Sequence, residues 1–158
     1  GKEYKQSLTV LKDPVTKGSE VDISKQYDFG RKLYSSTNTT LQLIGEMETM
    51  RAKLLTKKND LPAGQAGKKA ALLEDKIYQL EAGLHDIHQT GARFDIFRKP
   101  PQILERLLAM AKEGQISSAD APPTDQQQEV YALTNAKLEE IKLSFENLKK
   151  TADVKSLK

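Results

Sequence analysis

The chain has no cysteine and no tryptophan, and its 158 residues include only five Tyr and four Phe. Without cysteine there are no disulfides, no thiolate metal ligands and no thiol nucleophiles. With so few aromatics, the core is expected to be mostly Leu, Ile and Met. No apolar run approaches the roughly 18 residues of a membrane span, so no transmembrane segment is predicted. No signal-peptide pattern is visible either. Charge of one sign is not concentrated: 25 basic and 22 acidic side chains give a net +3 and alternate along helical stretches, as on solvated helix faces. A nucleic-acid partner would call for a basic stripe. Only the short pairs Lys57-Lys58, Lys68-Lys69 and Lys149-Lys150 occur, so no such partner is expected.

What remains is a chain 37% apolar and 30% charged, on the globular side of the disorder boundary with a lean core. Its length suits one domain. It opens Gly1-Lys2-Glu3 and reads as a domain of a longer protein, so the missing signal leaves the compartment open.

In residues 4–12, Tyr4, Leu8 and Val10 alternate with polar residues, a strand period that Asp13-Pro14 ends. With no sheet of its own to join, this stretch reads as the tail of a preceding β domain. Ser19 with Asp22 forms a capping-box opening for the first helix. Ile23, Tyr27, Gly30, Tyr34, Thr37, Leu41 and Ile44 then follow steps of four and three. A second line, Phe29, Leu33, Ser36, Thr40, Leu43, Met47, Met50 and Leu54, runs beside it. Both lines are expected to be buried, in a helix ending near Lys57-Lys58 and about 57 Å long at about 1.5 Å per residue. Its middle, Ser35 to Thr40, has poor helix propensity and needs tertiary support.

Pro62, Gly64 and Gly67 mark a connector. The second helix is predicted from about Lys68, with Leu73, Ile77, Leu80, Leu84, Ile87, Gly91 and Phe94 on one line, until Lys99-Pro100-Pro101 stops it. Pro101 suits the first turn of a shorter third helix carrying Ile103, Leu104, Leu107, Leu108 and Met110. That helix is expected to end at Gly114 or a turn later at Ile116. Thr124, with Gln127 in the capping-box position, opens a fourth, whose buried side is Tyr131, Leu138, Ile141, Phe145 and Leu148.

The fold class is therefore all-α: an up-down antiparallel bundle of three long helices plus one shorter helix, preceded by a short extended segment. The divisions are 1–18 for that segment, 19–152 for the bundle and 153–158 for a tail. The alternative is a three-helix bundle with residues 101–116 capping one end.

Candidate chemistry is sparse. His85 and His88 lie three apart and could ligate a metal with Glu81 one turn back. Against this, Leu84 and Ile87 mark the core face, so His85 is read as pointing largely outward and both histidines as solvated or boundary residues. Glu46-Glu48, Glu74-Asp75 and Glu139-Glu140 are read as solvated helix faces, with no sign of the desolvation that acid catalysis needs. Gly64 to Gly67 opens a helix and is read as a turn rather than an anion site. Met47 and Met50 read as core filler, and Tyr27, Tyr34 and Tyr131 as core tyrosines with satisfied hydroxyls. No catalytic residue and no cofactor is expected.

The order of pieces resembles one family. Tyr4 to Asp13-Pro14 is followed by a Ser-capped helix with Gln26-Tyr27-Asp28-Phe29. After a long second helix, Ala119-Asp120-Ala121-Pro122-Pro123-Thr124 leads into the last helix. This is similar to the C-terminal region of large bacterial sortilin-like proteins built on BNR-repeat β-propellers, often labelled glycosyl hydrolases. The resemblance covers nearly the whole chain, though Val15 stands where the family commonly has Arg. It implies a secreted, periplasmic or cell-envelope parent whose propeller carries any binding or hydrolytic activity. This domain would then be a non-catalytic accessory that packs on the propeller or mediates assembly. The alternative is an independent binding module for a peptide or glycan.

Overall fold

A computed structural model describes residues 3–60, 64–87, 99–116 and 120–151. Among them the structure is all-helical: α1 (Glu20–Asp60), α2 (Gln65–Leu84), α3 (Ile103–Ile116) and α4 (Asp125–Thr151), with no strand. No described helix is long and apolar enough to cross a membrane. α1 is the spine. Its 41 residues run about 60 Å at about 1.5 Å per residue, and α2 and α3 pack on it most extensively. α4 packs against α2 and α3 and more lightly against α1.

The helix starts follow local hydrogen bonding. At α1, Asp22 N–H donates to Ser19 Oγ (3.1 Å) and Ser19 N–H donates to Asp22 Oδ2 (3.0 Å). The Ser19 side-chain hydrogen bond, then the backbone one, hold the Asp22 carboxyl below its ordinary value. At α4, Gln127 N–H donates to Thr124 Oγ1 (3.1 Å) and Thr124 N–H to Gln127 Oε1 (2.9 Å), a second reciprocal pair. Thr124→Ala removes an acceptor for an orphan helix N–H. It is expected to lower stability by about 1 kcal/mol, read as a lower urea midpoint with an unchanged slope. α3 starts two residues later than Pro101 suggested. Gln102 is its cap, donating its N–H to Glu105 Oε2 (2.9 Å), and Pro101 stays outside with its carbonyl accepting from Arg106 Nε (2.9 Å).

The core is one cluster. Leu33, Leu43, Met47 and Leu54 come from α1, Ile77 and Leu84 from α2, Ile103, Leu107 and Met110 from α3, and Leu138, Ile141 and Phe145 from α4. The poor helix formers in mid-α1 are held from outside. Ser36 Oγ donates to Asn135 Oδ1 (2.9 Å) and lies 3.0 Å from the Tyr131 hydroxyl, while Thr40 Oγ1 donates back to the Ser36 carbonyl (2.8 Å). Tyr131 is half-buried with its ring edge-on to Phe29, centroids 5.6 Å apart. Gly83 lets α2 pass α4 closely, since a Cβ there would lie 2.9 Å from Ile141 Cδ1. Gly18 is tighter still: its would-be Cβ falls 1.9 Å from the carbonyl oxygen of Asp120, which itself adopts φ 46°. The run-up to α4 therefore lies against the start of α1.

Two expectations are corrected. The second line of α1 is mostly buried, but of the first only Ile44 reaches the core: Tyr27 is 64% and Tyr34 71% exposed, so neither is a core tyrosine. α2 has 20 residues, half the length of α1, and cannot cover the whole spine. The second correction is that α2 does not continue through Ile87. His85 takes extended backbone (φ −150°, ψ 160°) and ends the helix. There, Asp86 N–H donates to Glu105 Oε1 at the start of α3 (3.2 Å), a tertiary bond that apolar periodicity cannot register. Gly91 and Phe94 lie outside the described residues.

Candidate functional site

Two core lines each carry one charged residue. On α1, Arg51 falls between Met47 and Leu54, and on α2, Glu81 falls between Ile77 and Leu84. All four flanking apolar side chains are buried, and Glu81 is only 2% exposed. Arg51 joins the two helices. Its Nε donates to Glu74 Oε1 (2.9 Å) and its Nη1 to Glu81 Oε2 (2.7 Å). The Tyr78 ring lies 4.6 Å from the guanidinium carbon and fixes the plane of the fork. Burial alone would lower the Arg51 pKa. The hydrogen bonds from Arg51 to Glu81 and Glu74, with their charge, outweigh it and hold the guanidinium above its ordinary value.

Glu74, Tyr78, Glu81 and His85 step by four, three and four along α2, a continuous stripe. His85 closes it. Its Nε2 lies 3.5 Å from Glu81 Oε1 and is buried without a hydrogen-bond partner. From α1, Glu48 brings a carboxylate oxygen to the same place, so that one ligand atom each from Glu48, Glu81 and His85 lie within 4.8 Å of one another. Of the two histidines read as weak metal candidates, His85 thus turns inward toward Glu81, and His88 lies outside the described residues.

The carboxylate pairs divide. Glu139 is exposed and meets Lys142 at 3.4 Å, as a solvated pair would. Glu46 meets Lys149 of α4 at 3.0 Å. The Lys149 pKa is raised by its hydrogen bond to Glu146, against burial, and further by Glu46. Glu74 is half-buried against Arg51 and is not a solvated acid. Apolar periodicity hides the burial of Glu81, because the apolar line of α2 runs through Leu73 and Leu80. Those two are only partly buried, and the real centre of the face is turned about 40° toward Glu81 at roughly 100° per residue. A charged residue of opposite sign on each of two core lines was the available sign.

Near the start of α1, an open groove is lined by Ile23, Gln26, Tyr27, Gly30, Arg31, Tyr34 and Asp120. Arg31 sits 5.9 Å from the Tyr27 ring centroid. No family model, curated protein or solved structure matches this chain, so the site is read on its own geometry.

Proposed function

We propose that this chain is a non-catalytic accessory module acting by protein–protein contact: an up-down bundle of three long helices and one shorter one that holds out its N-terminal segment, in extended form, to a β domain. One observation carries this reading. Tyr4, Leu8, Val10, Leu11 and Val15 are each 82–88% exposed. Full burial of a Val or Leu side chain is favourable by about 1.5–3 kcal/mol, so these residues hold an unspent driving force for docking. Tyr4, Leu8 and Val10 occupy even positions and would share one face of a strand. The stretch stops in a turn, where Val15 N–H donates to Asp13 Oδ1 (2.9 Å) and Thr16 Oγ1 to the Asp13 carbonyl (3.1 Å).

The resemblance to sortilin-like BNR-repeat proteins makes the parent's own β-propeller the partner and a secreted or cell-envelope protein the setting. Any hydrolase activity would belong to that propeller. Hydrogen exchange on the full-length protein tests this: amides 4–12 should be strongly protected there and free in the isolated chain. Exchange at the rate of an unstructured peptide in the full-length protein would overturn it. The second reading, a peptide- or glycan-binding module, is favoured by the exposed Tyr27 and Tyr34 flanking the groove at Arg31 and Asp120.

A further inference from the structure

We propose that Glu48, Glu81 and His85 form a binding site for a divalent transition-metal ion of the zinc type at the seam between α1 and α2. The His85 Nε2 atom is buried, lacks a hydrogen-bond partner and faces Glu81 Oε1 at 3.5 Å. Two ligand atoms each about 2.0–2.1 Å from a tetrahedral zinc lie roughly 3.4 Å apart, so this pair already spans one edge of the coordination shell. The Glu48 oxygen, within 4.8 Å of both, is the third ligand atom. Glu48 is exposed and has no ion-pair partner among the described residues, so its side of the site is open to a water as fourth ligand.

Charge and ligand type agree. Glu48, Glu74 and Glu81 bring three negative charges against the single positive charge of Arg51, and with a neutral imidazole the excess of two matches a divalent ion. An imidazole with two carboxylates suits zinc, whereas magnesium and calcium take oxygen ligands. Arg51 holds Glu81 Oε2 and so leaves Oε1 turned to His85, the part an outer-shell partner plays in orienting a metal ligand.

The test is calorimetric titration of zinc chloride into the tag-free, chelator-stripped chain, with His85→Ala and Glu48→Gln alongside. The wild type should take up one ion per chain, His85→Ala should lose binding, and Glu48→Gln should bind about tenfold more weakly or worse. Magnesium should give no heat. Because Glu48 is exposed, Glu48→Gln should keep the zinc-free melting temperature, separating a lost ligand from a lost fold. A wild type that takes up no zinc, or a folded His85→Ala that binds zinc as tightly as wild type, would overturn the site.

Discussion

Arg51→Met is expected to cost about 3–5 kcal/mol of stability near neutral pH, the range for breaking a buried ion pair by deleting one partner. The reason lies with the partner. Glu81 is 2% exposed between Ile77 and Leu84, and the guanidinium supplies its 2.7 Å hydrogen bond and its compensating charge. Methionine fills much of the arginine volume, so the loss is electrostatic rather than a cavity. Replacing both members, Arg51→Met with Glu81→Leu, removes the most deeply buried charge and should recover much of the stability, leaving only the half-buried Glu74 without its partner, since apolar pairs substitute well for buried ion pairs. Urea unfolding of the wild type, both single variants and the double variant measures the coupling. A single-variant loss below about 1 kcal/mol, the range of exposed pairs, would mean that the pair is solvated.

Phe145→Ala is expected to cost about 3–5 kcal/mol, the range for truncating a buried aromatic. Phe145 is 1% exposed in the shared core, on the same α4 line as Leu138 and Ile141. Its ring also lies 4.8 Å from the Lys149 ammonium that reaches across to Glu46 on α1. Leu133→Ala on the same helix is the internal comparison: Leu133 is 67% exposed and its truncation should change stability by no more than about 0.5 kcal/mol. If the two variants melted alike, α4 would not be docked through the Phe145 face.

Much of the local structure was legible because it depends on neighbours in sequence. The reciprocal caps at Ser19–Asp22 and Thr124–Gln127 form as their spacing predicts. The line from Phe29 to Leu54 is mostly buried, as are Leu138, Ile141 and Phe145. What depended on tertiary geometry was hidden. Tyr27 and Tyr34 lie on an apolar line of α1, yet periodicity within one helix cannot say how far its neighbours extend. The end of α2 at His85 is stabilised by Glu105, 20 residues on. The polar cluster was half legible: His85 and Glu81 are one turn apart in sequence, but Arg51 and Glu48 come from another helix.

The Arg51–Glu81 bridge also constrains how this protein can change over evolutionary time. Losing Arg51 alone strands the Glu81 charge in the core, whereas Arg51 without Glu81 keeps its ion pair with Glu74, so the two single steps are not equivalent. Position 81, 30 residues away in the chain, should therefore change before or together with position 51. Among diverged versions of this bundle, an acid at position 81 without a base at position 51 should be the rare combination.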